Sequence, residues 1–245
     1  MKNKPRKSQE TMDSLIKNGT TVIVASPKTI QDMKDSGSPI EEKFITYEEY
    51  LSELLTERQK GALDRLKKLP LIDQSVADGV VTEIYGEIRS SYALGFFTST
   101  IVNSVLLLEY AMRLALYIHR IKAYPKYQWE VLERMAMKKL ISQMKKANLI
   151  TEEQEKALKE FNDTLRDPYL HINVHSLSDG IFISSLPGFN TKTGKKFEMK
   201  NVRVSEHKYL WFMGKRYFDK QMVLPILNFC VGYANNLLAE KKTIK

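Results

Sequence analysis

Apolar and polar residues in the middle of the chain follow the period of an α-helix. From Ala77 to Ile88 the apolar residues fall at positions 77, 80, 81, 84, 85 and 88, which is one face of a helix. The segment from Phe96 to Ile121 is apolar on nearly all sides, as expected of a helix at the centre of a bundle. The pattern therefore predicts a mainly α-helical protein built around this central helix.

Two further helices follow the central one. A helical pattern runs from Trp129 to Ala147, and Asn148 marks its end. Thr151 and Gln154 have the spacing of a capping box, which opens a second helix that continues to Leu165.

The last third of the chain predicts a short β element and a final helix. Residues 181–213 fit a β-hairpin or irregular structure, with a turn at Pro187–Asn190. Gln221 to Leu238 form a final apolar helix. This helix should start near Pro225, because proline lacks the N–H group that a helix interior requires.

The first third of the chain is less informative. We assign residues 1–75 to an N-terminal extension or small appendage and residues 76–245 to the helical domain. Within the extension, Thr46 and Glu49 predict the start of a helix that continues to about Leu66. No pattern in this region indicates any chemistry.

The composition is that of an ordinary globular protein, with 245 residues, 43% of them hydrophobic and 27% charged. The one cysteine, Cys230, excludes an intrachain disulfide and fits a reducing cytoplasm. We find no signal peptide. We also expect no membrane contact, because the most apolar stretch, Ile101 to Ile118, contains Glu109 and Arg113.

The net charge of +9 weakly favours a polyanionic partner. Between Thr191 and Lys220, nine lysines and arginines stand against three acidic residues, and six aromatic residues lie among them. Such a segment suits RNA, because the charges meet phosphates and the rings stack on bases. An ordinary hairpin, with aromatics toward the core and lysines toward water, fits equally well. The candidate nucleic-acid-binding residues are Lys195, Lys196, Lys200, Arg203, Lys215 and Arg216.

The stretch from Arg166 to His171 combines residue types that suit phosphate chemistry. Asp167 is a good N-cap and Pro168 is favoured at a first helical position, so a helix is predicted to begin at Pro168. Arg166 then lies just outside the helix and His171 one turn inside it. Arginine and helix N-termini bind phosphate, and histidine transfers protons near neutral pH. The alternative is a joint between two helices with a surface histidine.

Other candidate chemistry is weaker. Glu109 and Arg113 are four residues apart on the central helix, so they form either an internal ion pair or part of a site. His171 and His175 share that spacing, but a zinc site of the common protease type needs Glu where Ile172 stands. Glycines are too scattered for a phosphate-binding loop. We therefore predict neither a metal nor a cofactor.

The chain resembles the HEPN superfamily of α-helical bundles. Arg166-Asp167-Pro168-Tyr169-Leu170-His171 fits the family signature of Arg, a polar residue, three residues and His. The segment from Leu107 to Arg113 is similar to the Leu-Leu-Glu stretch and following Arg of the family's long helix, and a helix pair joined at Leu149–Thr151 leads to the motif. The resemblance covers about residues 80–245, with residues 181–213 as an insertion.

The resemblance implies a cytoplasmic, metal-independent endoribonuclease that acts as a homodimer, with the two motifs facing each other. Arg166 and His171 would be catalytic, and the supporting residues would be Asp167, Tyr169, Glu109 and Arg113. It also implies a toxin–antitoxin or anti-phage defence setting, with an antitoxin or defence-system protein as partner. Some HEPN domains only bind nucleic acids or nucleotides, and others hold complexes together, so a binding module and a structural interaction protein remain alternatives.

Overall fold

The computed structural model describes residues 31, 35, 47–75, 77–189 and 195–239. The chain groups into two compact units. The larger unit holds Ser52–Ser184 and Asn201–Lys245, and the smaller unit holds Met1–Leu51 and Ser185–Lys200. The larger unit therefore includes residues 52–75, which the sequence pattern assigns to an N-terminal extension.

The described chain is mainly helical, with a small two-stranded antiparallel sheet. The helices are α1 (Tyr47–Gln59), α2 (Ala62–Lys67), α3 (Gly79–Ala93), α4 (Phe97–Ala123), α5 (Glu130–Glu133), α6 (Met137–Lys146), α7 (Glu152–Phe161), α8 (Asp167–Leu170), α9 (Val174–Ser178) and α10 (Trp211–Ala239). A π-helical turn, Asn162–Arg166, joins α7 to α8. The strands β1 (Phe182–Phe189) and β2 (Lys196–Arg203) pair with each other, and the 3-10 turns Val204–Glu206 and Lys208–Leu210 precede α10.

Helix α4 is the centre of the larger unit, as its all-round apolar pattern predicts. It packs along α3 on one side and along α10 on another. Its fully buried side chains include Ile101, Val105, Leu107, Leu108, Ala111 and Met112. Each buried leucine or isoleucine contributes about 1.5–3 kcal/mol relative to an exposed one, so this helix supplies much of the hydrophobic stabilisation.

Residues 69–73 belong to the same core. Leu69 and Ile72 are buried. The side chain of Asn235 on α10 accepts from the Asp73 N–H and donates to the Leu71 carbonyl, both at 2.9 Å. These contacts explain why the segment before α3 folds with the helical unit.

Two helices, Phe97–Ala123 and Gly214–Ala239, are long and apolar enough to cross a membrane by length and composition alone. In their most apolar windows, 56% and 44% of the residues are buried inside the protein. The core helix of a soluble protein meets the same criterion. The sequence pattern predicts no membrane span because charged residues interrupt the apolar run. A mean hydropathy over 18 residues tolerates a few charged residues.

Local end signals correctly predicted two helix boundaries. Thr151 caps α7, with its side chain accepting from Gln154 N–H and the Gln154 side chain accepting from Thr151 N–H. Asn148, after α6, adopts the left-handed conformation with φ 54°. Its N–H donates to Lys145 and the next N–H donates to Met144, which is the Schellman arrangement that ends a helix.

The single helix predicted from Trp129 to Ala147 is wrong, because the structure breaks it into α5 and α6. Ala136 between them is extended, with ψ 149°. At the break the carbonyl of Leu132 accepts from the Met135 N–H at 3.0 Å, and the guanidinium of Arg113 donates to the carbonyls of Leu132 and Met135, at 3.2 and 3.4 Å. A tertiary hydrogen bond thus replaces the local ones that a continuous helix would make.

Three other predicted boundaries also differ from the structure. The helix predicted to reach Leu66 is interrupted at Gly61, whose φ of 72° suits glycine. The final helix begins at Trp211 rather than near Pro225, which lies inside it. Residues 187–189, predicted as part of a turn, belong to β1. Thr46, the predicted cap of α1, lies outside the described residues.

Gly214 marks a close approach between α10 and the segments beside it. A Cβ atom at this position would lie 2.6 Å from Val204 Cγ1 and 3.0 Å from Ser178 Cβ. The absence of a side chain therefore lets α10 pack directly against α9 and the first 3-10 turn. Gly86 and Gly232, which also lie in helices, have no neighbour within 4 Å of such a Cβ.

We expect Gly214→Ala to lower the free energy of unfolding by about 1–3 kcal/mol, because the added methyl group overpacks this contact. Gly86→Ala and Gly232→Ala are the matched controls, and each should raise stability by about 0.5–1 kcal/mol through helix propensity. Urea unfolding followed by circular dichroism measures all three. A Gly214→Ala protein as stable as the controls would contradict the close packing of α10.

Candidate functional site

The motif, residues 166–171, lies within a continuous helical path and not at a helix start. Arg166 (φ −59°, ψ −54°) and Asp167 (φ −64°, ψ −49°) both have helical backbone angles. Asp167 therefore does not act as an N-cap, and the predicted helix N-terminus at Pro168 is wrong. The path from α7 continues through the π-helical turn into α8.

The π-helical turn explains how the helix passes through Pro168. In an α-helix, a proline ring clashes with the carbonyl four residues earlier and its nitrogen cannot donate. Here the N–H of Asp167 donates to the carbonyl of Asn162, five residues back, which is the wider spacing of a π-helix. The wider turn accommodates the proline, and turns of this type occur often at functional sites.

Arg166 is held by two carboxylates. Its Nε and Nη2 donate to Glu109 Oε1 at 2.9 and 2.8 Å, and its Nη1 donates to Asp167 Oδ1 at 2.6 Å. Burial acts to lower the pKa of Arg166, but the hydrogen bonds with Asp167 and Glu109 raise it above its ordinary value. The guanidinium is therefore fixed in orientation and permanently charged.

Two N–H groups of Arg166 remain available. A guanidinium has five N–H groups, and the three bonds to Glu109 and Asp167 leave one on each terminal nitrogen without a partner among the described residues. The side chain is 21% exposed, so solvent or a ligand reaches it. A non-bridging phosphate oxygen is the kind of acceptor that such a pair of donors fits.

Glu109 links the motif to the central helix. Its side chain is only 7% exposed, and its second oxygen accepts from Arg113 Nη1 at 2.9 Å. The carboxylate of Glu109 therefore lies between the guanidinium groups of Arg113 and Arg166. The structure thus brings together all four of the residues that the sequence singles out around the motif's arginine, namely Glu109, Arg113, Arg166 and Asp167.

Asn162 extends this network, although the sequence analysis does not single it out. Its Nδ2 donates to Asp163 at 2.9 Å and to Asp167 at 3.2 Å, and Asp163 pairs with Lys138 at 2.9 Å. Since the amide nitrogen must face the two carboxylates, its Oδ1 points away from them, buried and without a protein partner in the described chain. A single asparagine carries no sequence signal that would reveal this role.

The side chain of Tyr169, within the motif, is buried in the protein and does not face solvent. Its hydroxyl donates to Asp219 Oδ1 at 2.9 Å and accepts from Lys215 Nζ at 3.0 Å. Lys215 and Thr98 also donate to Asp219 Oδ2, at 2.7 and 2.6 Å. Burial, together with the charge of Asp219, raises the pKa of Tyr169 above its ordinary value. We call Thr98, Tyr169, Lys215 and Asp219 the Tyr169 cluster.

His171 is the last residue of the helical path, and its side chain is exposed. Its N–H donates to the Asp167 carbonyl at 3.0 Å. The next two N–H groups, of Ile172 and Asn173, donate to Tyr169 and Pro168, which again is a Schellman ending. Ile172 has φ 52° at the position where glycine is usual, so a strained residue follows the candidate catalytic histidine directly.

The candidate nucleic-acid-binding residues are divided between the two units. Lys195, Lys196 and Lys200 are exposed in the smaller unit, in or next to β2. In the larger unit, Arg203 pairs with Asp179 at 2.6 Å, and Lys215 belongs to the Tyr169 cluster. Arg216 is exposed on α10. The structure thus describes these residues as two groups, and the partly exposed Lys215 as a member of an internal hydrogen-bond network.

The described residues include no group of three or more His, Cys, Asp or Glu side chains arranged to hold a metal ion. His175, four residues after His171, packs edge-on against Trp211 with ring centroids 6.3 Å apart. Its surroundings are those of a packed surface histidine.

Comparison with models of protein families, with curated protein sequences and with solved structures gave no match. The resemblance to the HEPN superfamily therefore rests on the sequence alone.

We expect Glu109→Gln to lower the free energy of unfolding by about 3 kcal/mol, because it leaves two partly buried guanidinium groups without their shared carboxylate. Glu83→Gln, at an exposed position of α3, is the control and should change stability by less than about 0.5 kcal/mol. Urea unfolding at neutral pH compares them. Equal stability of the two variants would show that Glu109 does not anchor the motif.

Proposed function

We propose that this protein is a HEPN-type endoribonuclease that cleaves RNA without a metal ion, with Arg166 and His171 as its catalytic residues. One observation carries the proposal. Arg166 is fixed by Glu109 and Asp167, yet keeps two N–H groups without a partner among the described residues, and the exposed His171 follows five residues later on the same helical path.

The residues suit cleavage by the RNA's own 2′-hydroxyl. In this reaction the 2′-oxygen attacks the adjacent phosphorus, and the bond to the 5′-oxygen of the next nucleotide breaks. His171 takes the proton from the attacking hydroxyl or delivers one to the leaving oxygen. Arg166 donates its two remaining N–H groups to the non-bridging oxygens, where negative charge develops. The reaction requires no metal, since both steps use side chains of the protein.

The other motif residues act through Arg166 in this proposal. Glu109 and Asp167 fix the plane of the guanidinium, and Arg113 holds Glu109 in place. A preorganised cation is worth more in a transition state than a mobile one, because no reorganisation is needed during the reaction.

The proposed active form is a homodimer in which two motifs face each other. Each chain contributes one arginine and one histidine, so a site that needs a separate acid and base draws on both copies. The exposed Lys195, Lys196 and Lys200 would bind phosphates of RNA. We further propose a cytoplasmic toxin or anti-phage effector, controlled by an antitoxin or another defence-system protein.

A non-catalytic nucleic-acid- or nucleotide-binding module is the second candidate. It is favoured by the charge balance at the motif, where Glu109 and Asp167 offset the charges of Arg166 and Arg113. A balanced site attracts a polyanion less strongly than a free arginine does, so nucleic acid would bind through the exposed Lys195, Lys196 and Lys200 and not through the motif. In this case Arg166 would be chiefly structural.

We expect His171→Ala to reduce RNA cleavage in EDTA by about 100-fold or more, because proton transfer is lost. Its side chain is exposed, so the variant should fold normally. His119→Ala, at an exposed position of α4, is the matched control and should cut at the wild-type rate.

Arg166→Lys is preferable to Arg166→Ala, because lysine keeps a cation beside Glu109 while removing the paired donors. It should also cut poorly.

The same experiment separates the two candidates. Wild-type protein that shifts RNA in a gel but never cuts it would support the binding module and contradict the nuclease. Cleavage by His171→Ala at the wild-type rate would remove His171 from the mechanism.

We expect the wild-type protein to sediment as a dimer at the concentrations where it cleaves RNA, because the complete site requires two motifs. Analytical ultracentrifugation across a dilution series should show activity and dimer fraction falling together. Full activity in a monomeric sample would overturn the shared site.

A further inference from the structure

We infer that Tyr169 is a positioning residue for His171, and that Thr98, Lys215 and Asp219 hold Tyr169 in place. The expected effect on catalysis rests on the proposed function. The expected effect on the backbone at the end of the motif does not. It assigns the ammonium group of Lys215, a candidate RNA contact by composition, to hydrogen bonds within the protein.

The Tyr169 cluster is closed in the sense that none of its donor protons is left for an anionic ligand. The three N–H groups of the Lys215 ammonium donate to Thr98 Oγ1 at 3.2 Å, Tyr169 Oη at 3.0 Å and Asp219 Oδ2 at 2.7 Å. The two hydroxyl groups each accept from Lys215 and each donate to Asp219. Since every donor proton is used, the cluster has no donor to offer to a phosphate oxygen.

Burial of Tyr169 and Asp219 restricts the geometry of this cluster, while Lys215 and Thr98 close it on the side nearer the surface. Tyr169 is 3% exposed and Asp219 is 5% exposed. A buried carboxylate is costly unless it is paired and hydrogen-bonded, so departures from this one arrangement are disfavoured. The Lys215 ammonium also lies 4.5 Å from the centroid of the Tyr169 ring, which restrains the ring as well as its hydroxyl.

His171 depends on its backbone for its position. Its imidazole makes no hydrogen bond or ion pair with any residue that the structure describes. The backbone that carries it is closed by the N–H of Ile172, which donates to the carbonyl of Tyr169 at 3.2 Å. A shift of Tyr169 therefore moves the turn that carries His171.

Two separate networks hold the two ends of the motif, and both include a residue of α4. Glu109 of α4 fixes Arg166 at one end. Thr98 of α4, together with Asp219 of α10, fixes Tyr169 near the other end. The separation between the guanidinium and the imidazole is thus set by the long helices and not by the short α8 itself.

The test compares Tyr169→Phe with Tyr85→Phe. The first variant keeps the ring and removes the hydroxyl from the cluster. The second removes a buried hydroxyl that donates to the Pro70 carbonyl at 2.7 Å, away from the motif, and so controls for a general loss of stability. Thr98→Val, which removes one donor to Asp219 near the surface, is a milder variant should Tyr169→Phe fold poorly.

Two readouts are measured on each variant, namely RNA cleavage kinetics and hydrogen exchange at the amides of His171 and Ile172. We expect Tyr169→Phe to lower kcat by on the order of 10- to 100-fold with KM unchanged, because the histidine is misplaced while substrate contacts remain. The same amides should exchange faster than in wild type. Tyr85→Phe should change neither readout.

The outcomes separate this inference from the proposed nuclease function. Unchanged exchange at His171 and Ile172 in Tyr169→Phe overturns the positioning role, whether or not the protein cuts RNA. Faster exchange with an unchanged kcat in an active enzyme also overturns it. Faster exchange in a protein whose wild type never cuts RNA supports the positioning of His171 and contradicts the nuclease.

Discussion

The buried carboxylate of Glu109 is the constraint on which the motif depends. A carboxylate in the core is costly unless it is paired, and Glu109 lies between Arg113 and Arg166. This one residue fixes the guanidinium of the motif on the central helix α4. Through Arg113 it also connects to the carbonyls of Leu132 and Met135, where the chain breaks between α5 and α6. The motif is therefore positioned by the core of the larger unit.

Hydrogen bonds that the local pattern does not show explain why sequence periodicity misplaces two helix boundaries. Apolar spacing is continuous across α5 and α6, but the break is stabilised by Arg113, which lies far away in the sequence. The residues at Pro168 have the spacing of a helix start, but the π-helical turn and the hydrogen bond from Asp167 to Asn162 carry the helix through it. The first feature depends on a tertiary contact, which a window of neighbouring residues does not contain. The second depends on a local hydrogen bond of the rare π-helical spacing, which the rules for α-helix starts do not include.

Some features that depend only on neighbouring residues were predictable. The capping box of Thr151 and Gln154 and the stop at Asn148 involve partners within five residues. The apolar pattern of α4 fits its position at the centre of the larger unit. For the site, Glu109 and Arg166 were recognised by residue type and spacing. Their direct contact spans 57 positions of sequence, and the closed cluster around Tyr169 spans more than a hundred, so neither follows from periodicity.

Lys215 and Arg216 show why charge counts alone mislead. They are neighbours on α10 and carry the same charge, yet the Lys215 ammonium donates all its protons to Thr98, Tyr169 and Asp219, while Arg216 is exposed. Arg166 follows the same logic, because Glu109 and Asp167 offset its charge. What recommends Arg166 for phosphate is therefore not net charge but two oriented N–H groups held at a solvent-accessible position. An anionic transition state is stabilised best by N–H donors that already point toward it, since fixed donors stabilise charge without rearranging.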